Sequence, residues 1–233
     1  MPENLHLKET RDDTLRTMKA LPTLIWVAVF SVAFAFVESS VVVYLRALYY
    51  PDGFAFPLKL MARHHIVVEL VREFATIVML MAVGIVAGKS RWQRFGYFMI
   101  AFALWDIFYY VWLKVILGWP ESVFDWDILF LVPLPWIGPV LAPILVSILM
   151  IVAGVLIVRR EAKARAFRAP PTAWTISLVG TAAILTSFMM DIDATVRMQA
   201  PSPYHYELLA AGLLCYVGAM YLTFRKEALK GEG

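Results

Sequence analysis

Charge is scarce in this chain, and cysteine is scarcer. Asp, Glu, Lys and Arg make up 17% of the 233 residues, against roughly 25% in a soluble domain. A single cysteine, Cys215, excludes an intrachain disulfide and a thiolate metal cage within one chain. It sits in an apolar run, where it reads as a small packing residue. There is no Gly-x-x-x-x-Gly-Lys-Ser/Thr loop, Gly-x-Gly-x-x-Gly fingerprint or Gly-x-Ser-x-Gly elbow. The polar segments are too short to hold a nucleotide-binding domain, so ATP-driven transport would need a partner subunit. No internal repeat is visible, which gives no support to an inverted-repeat transporter. The net charge of +3 is small, and the lysines and arginines gather in loops rather than on a nucleic-acid-binding face.

What the chain has in abundance is hydrocarbon. Sixty-one per cent of its residues are hydrophobic and the mean hydropathy is +0.71, which places it in a membrane. A spanning helix needs about 20 mostly apolar residues. Six segments qualify: roughly Leu21–Leu45, Ile66–Ala87, Phe95–Leu117, Ile137–Val158, Ala173–Met190 and Leu208–Phe224. Helices are the default, because lipid offers no water to an open strand edge. The expected fold is therefore all-α, a polytopic six-helix bundle over residues 21–224, with tails at 1–20 and 225–233. The first apolar run continues past Glu38 and exceeds a signal-peptide core, so it reads as an uncleaved first span.

Lysine and arginine are distributed unevenly about these spans. Fifteen lie in the two tails and the loops after spans two and four; four (Arg46, Lys59, Arg63 and Arg197) lie in the opposite loops. The positive-inside rule then predicts that both termini are cytoplasmic. The outward loop 118–136 leads the stretch "WPESVFDWDILFLVPLPWIGPVLAP", which has five prolines, three tryptophans and no basic residue. Its prolines exclude a regular helix through the middle. It is expected to be either an interfacial or re-entrant cap or an ordinary amphipathic loop. Glu121, Asp125 and Asp127 read there as solvated loop charges.

Orientation gives each polar residue within a span a depth. Glu38, Glu73 and Asp106 each lie eight residues inside the outward boundary of spans one, two and three. At 1.5 Å per residue, all three carboxyls sit about 12 Å deep, which suggests one site. His65, Glu69 and Glu73 follow at i, i+4 and i+8 as a stripe on one face of span two. Arg72 is placed to neutralise Glu69. Tyr109, Tyr110 and Lys114 accompany Asp106 on span three, His205 leans over the same mouth, and Arg46 and Arg63 stand on its rim. Spans four to six carry no charged residue and read as scaffold, with Ala211, Cys215 and Ala219 suited to close helix packing.

Three readings of this constellation stay open. A divalent metal (iron, manganese or zinc) would take ligands from Glu38, His65, Glu69, Glu73, Asp106 and His205. The Glu-x-x-His signature of helical-bundle di-iron proteins is absent, however. A metal-free site would use Glu38, Glu73 and Asp106 as acids, bases or proton relays. Arg46, Arg63, Arg72, Tyr109, Tyr110 and Lys114 would then bind a lipid or other anionic membrane-associated substrate. Packing alone is the third: Glu38 paired with Arg72, Glu73 with Lys114, and Asp106 with a tyrosine hydroxyl. A site acting on a membrane-associated substrate is preferred. The competing class is a proton- or cation-coupled carrier, or an accessory subunit of a membrane complex. The bilayer is the expected partner, with self-association or a complex partner open and nucleic acid excluded.

The runs "FVESSVVVYLRALYYPDGF", "VELVREFATIVMLMAVG" and "LWDIFYYVWLKVILGWP", followed by "WDILFLVPLPWIGPVLAP", resemble a family of small multi-pass bacterial inner-membrane proteins. The resemblance covers roughly Phe36 to Pro143. It implies a bacterial inner-membrane location and brings no activity, cofactor or catalytic residue with it.

Overall fold

The computed structural model describes residues 2–228 apart from 55, 57, 60, 132–134, 164, 165, 193–196, 198 and 200, with side chains described from 20 to 225. Its long helices are α1 (Pro2–Tyr49), α2 (Arg63–Ala87), α3 (Arg91–Leu117), α4 (Leu141–Ala162), α5 (Pro171–Met189) and α6 (Tyr206–Ala228). Six helical segments among the described residues are long and apolar enough to cross a membrane, the first being Ala20–Tyr49 of α1. The chain is an all-α, multi-pass membrane protein.

Local chemistry explains where the helices stop. Ser90 caps α3, its Oγ accepting the Gln93 N–H at 3.1 Å. At the other end of α3, Lys114 folds back so that its Nζ donates to the carbonyls of Gly118 (2.9 Å) and Pro120 (2.7 Å). A lysine there satisfies carbonyls that the helix itself leaves open. Pro171 begins α5, where its fixed φ suits the first turn and its missing N–H costs nothing.

The loop between α3 and α4 takes a form that neither expectation specified. It forms an antiparallel hairpin of β1 (Trp126–Phe130) and β2 (Trp136–Pro139), with Trp126 opposite Pro139 and Ile128 opposite Ile137. As a result the fourth span begins at Leu141 rather than near Ile137, and it runs through Arg159 and Arg160 to Ala162. The hairpin wedges between helix ends. Trp136 stacks on Phe188 of α5 at 6.1 Å, and Trp126 meets Tyr204 edge-on at 5.8 Å. Tyr204 in turn shares a hydrogen bond with Ser187 at 2.9 Å.

Packing divides the bundle. α3 is the hub of the first part and contacts α1, α2 and α4. Small residues allow the approach to α1: Ser39 donates both to Ala35 O (2.7 Å) and across to Tyr109 O (3.1 Å). α5 and α6 form the second part and close on each other at a glycine contact. A Cβ on Gly180 would lie 2.9 Å from the Gly212 carbonyl oxygen, and one on Gly212 would lie 2.8 Å from that of Gly180. Gly212, Cys215 and Ala219 thus carry the close-packed face of α6, whereas Ala211 is exposed. Cys215 fills the packing role expected of it.

Candidate functional site

A cavity of about 120 Å³ lies under the hairpin, among α1, α2 and α3. Five carboxyl side chains line it (Glu38, Glu69, Glu73, Asp106 and Asp127), with two guanidinium groups, Arg46 and Arg72. Four of the acids are nearly inaccessible: Glu38 and Glu69 are 6% exposed, Glu73 7% and Asp127 2%. Aromatic rings, including Trp105, Tyr109 and Tyr110, supply most of the remaining polar wall.

Helix register explains the convergence. Glu69, Arg72, Glu73 and Thr76 lie at i, i+3, i+4 and i+7 of α2 and therefore share one face. Arg72 sits at the centre. Its Nη1 pairs with Glu38 of α1, while its Nε and Nη2 both reach Glu69 Oε2, at 2.8 and 2.7 Å. Thr76 donates to the other Glu38 oxygen at 3.1 Å. Glu73 accepts the backbone N–H of Leu131 at 2.8 Å, which ties α2 to the hairpin loop. Asp106 accepts from Ser147 of α4 at 2.8 Å.

Arg46 and Asp127 form the roof. The Arg46 guanidinium lies between two rings, 4.2 Å from the Phe54 centroid and 3.7 Å from that of Trp119. Its Nη2 donates to Asp127 Oδ1 at 3.1 Å. Burial pushes the Asp127 carboxyl up to about 6 from its ordinary 3.8, against the opposing pull of Arg46. Two buried donors on the cavity wall, Arg46 Nη1 and Trp105 Nε1, have no hydrogen-bond acceptor among the described residues.

The structure therefore gathers Glu38, Glu69, Glu73, Asp106, Arg46, Arg72, Tyr109 and Tyr110 around one space. It separates others from it. His65 does not line the cavity: its Nδ1 hydrogen-bonds the Tyr49 hydroxyl at the α1–α2 turn. His205 is bound to Glu207 at 2.7 Å. Arg63 is exposed, and Lys114 caps its own helix instead of pairing with Glu73. Arg46 belongs to the buried roof and not to a solvent rim.

These placements lend the metal expectation no support. No group of three or more His, Cys, Asp or Glu among the described residues is arranged to hold a metal ion. The physical reason is that the carboxylates already have protein donors: Arg72, Thr76, the Leu131 amide and the Ser147 hydroxyl. Both histidines are bound elsewhere. Asp127 is the opposite case, a residue read as solvated that is in fact buried and ion-paired. Ser147 and Thr76 escaped notice because neutral hydroxyls in an apolar helix carry no charge signal. Asp106 takes its donor from Ser147 and not from a tyrosine.

Fold and site together define a class: a multi-pass integral membrane protein with a buried carboxylate–arginine cavity at one end of its helices. No family model matches the chain, and comparisons with curated proteins and with solved structures return no match.

Proposed function

We propose that the cavity is a proton-exchanging cation site, and that the protein is a small proton- or cation-coupled carrier. The observation that carries this reading is the imbalance of five carboxyls against two guanidiniums in about 120 Å³. Charge at membrane depth costs several kcal/mol, so a cavity this rich in carboxyls favours protons or a counter-cation. A cation that enters displaces protons to the solvent, and its departure restores them. The aromatic wall is suited to a cation, whose field the ring faces attract. An anionic headgroup would find only the Arg46 Nη1 and Trp105 Nε1 donors open, because Arg46 and Arg72 already pair with Asp127, Glu38 and Glu69. Acid/base chemistry on a membrane-associated substrate would draw on the same carboxyls.

The Lys/Arg asymmetry supports cytoplasmic termini and a cavity that opens outward. The resemblance noted over Phe36 to Pro143 supports a bacterial inner membrane. Proton release tests the function directly. Purified protein in weakly buffered detergent is titrated with sodium, ammonium or tetramethylammonium chloride near pH 6.5, and released protons are read with a pH dye. At least one of the three should release on the order of one proton per chain, and Glu73→Gln or Asp106→Asn should reduce it. No release with any of them would overturn the reading. Stoichiometric iron, manganese or zinc in the purified protein would return the site to the metal class.

A further inference from the structure

A second cavity, of about 330 Å³, lies towards the opposite end of the bundle, between the α3–α4 and α5–α6 pairs. Its lining is mostly hydrocarbon, and none of its described lining residues holds a buried side-chain nitrogen or oxygen without a hydrogen-bond partner. Nothing on its wall selects one apolar occupant over another. The carboxylate cavity under the hairpin is different, because polar atoms of its own lining residues stay open.

The roof pair carries two of them. An arginine and a carboxylate can meet through two parallel hydrogen bonds, which satisfy both oxygens at once. Arg46 and Asp127 make one, from Nη2 to Oδ1 at 3.1 Å. Arg46 Nη1 and Asp127 Oδ2 stay buried with no hydrogen-bond partner among the described residues, although Tyr110 and the Ile128 amide also stand close to the carboxyl. The two residues are only 7% and 2% exposed, so bulk water does not serve these atoms. Their shared hydrogen bond keeps the open donor and the open acceptor at neighbouring positions. Trp105 Nε1 is a further open donor on the cavity wall. A hydroxyl has the matching inventory, with one hydrogen to donate and two lone pairs to accept with. A carboxylate or phosphate only accepts, and it would set like charge against Asp127. An ammonium only donates, and it would leave both nitrogens open.

Charge and size set the rest of the occupant. Arg72 is engaged by Glu38 and Glu69, whereas Asp106 takes its hydrogen bond from the neutral Ser147 hydroxyl. Asp106 lies within electrostatic reach of Asp127, so a cation beside the first and a hydroxyl beside the second belong to one short molecule. A space of about 150 Å³ accepts benzene, so a cavity of about 120 Å³ suits about four to six non-hydrogen atoms. We propose that the site takes a small amino alcohol, with its ammonium held by Asp106 and its hydroxyl accepting from Arg46 Nη1 and donating to Asp127 Oδ2. This rests on the cation reading above and names the class of cation.

Ethanolammonium and n-propylammonium test it, because they match in charge and in number of non-hydrogen atoms and differ in the hydroxyl. Each is titrated into the purified full chain in weakly buffered detergent near pH 7, and released protons are read with a pH dye. Ethanolammonium should half-saturate the release at a concentration at least roughly tenfold lower, since a site with open hydrogen-bonding groups penalises an analogue without the hydroxyl. Release by both ions at equal concentrations would overturn this proposal and leave the cation reading standing. Release by neither would overturn both. Glycine is the third probe: half-saturation below that of ethanolammonium would assign the open donors to a carboxylate and sink the hydroxyl assignment. Asp127→Asn supplies a second reading. Arg46 keeps the amide oxygen towards itself, so an NH2 group takes the place of Oδ2 and the open acceptor becomes a donor. The preference for ethanolammonium should fall towards parity while propylammonium still releases protons. An undiminished preference in Asp127→Asn would count against the roof pair as the hydroxyl's partner and overturn the proposal.

Discussion

The two ends of this bundle enclose space in opposite ways. Under the hairpin, α1, α2 and α3 bury five acids and two arginines around a small cavity. Between the helix pairs at the other end, the walls are mostly apolar, and two of the few hydroxyls, Thr181 and Tyr216, bind each other. The contrast follows from what each region must satisfy. A buried charge requires a partner of defined geometry, so the first region is held by a fixed ion-pair network. A buried methyl requires only contact, so the second region can leave a cleft for hydrocarbon to fill. The larger cavity is accordingly the one with the weaker polar demands.

The sharpest way to break the comparison is to remove the cation that organises the polar end. Arg72→Ala leaves Glu38 and Glu69 buried without their guanidinium. Loss of one partner from a buried pair costs about 3–5 kcal/mol. Thermal unfolding in detergent should shift down accordingly, and the further change Glu38→Gln should recover part of the loss. A shift no larger than that of an exposed arginine such as Arg63→Ala would mean that the network is solvated and that the polar end is organised by something else.

The same contrast marks what could be read from the residues alone. Six spans are legible because apolar length is a local property, and the observed helices fall on them. Glu38, Glu73 and Asp106 are legible as a group because helical rise fixes depth by simple counting. The hairpin is not legible, since five prolines and an irregular apolar pattern show neither period two nor period 3.6. Asp127 misleads for a related reason: its burial depends on Arg46, which comes from 81 residues away in the chain. His65 misleads because the i, i+4, i+8 stripe drifts around α2, and Tyr49 captures the imidazole at the N-terminal end of that helix.

Asp127 provides the second test, through pH. Its folded carboxyl titrates near 6 against an ordinary 3.8, so the folded state holds this proton more tightly than the unfolded chain does. The stability it contributes is complete below about pH 4 and is lost as pH rises through about 6. The shift corresponds to roughly 2–3 kcal/mol. Wild type should therefore lose more thermal stability than Asp127→Asn between pH 4 and pH 7. Identical pH profiles would remove Asp127 from the set of groups that titrate in the cavity roof.

The smallest effect belongs to the apolar half and probes its tight α5–α6 contact. A Cβ placed on Gly212 would meet Ile184 Cγ1 at 2.5 Å and the Gly180 carbonyl oxygen at 2.8 Å. The Ile184 side chain is itself buried, and the backbone oxygen yields only if α5 and α6 separate. Gly212→Ala should cost about 1–3 kcal/mol, the usual range for overpacking a close interface. Because the contact is remote from Arg72 and Asp127, the loss should be the same at pH 4 and pH 7. It should also leave cation-induced proton release unchanged. If Gly212→Ala altered proton release as strongly as Glu73→Gln does, the two halves would be coupled, and the α5–α6 pair would belong to the moving parts of the proposed carrier rather than to its frame.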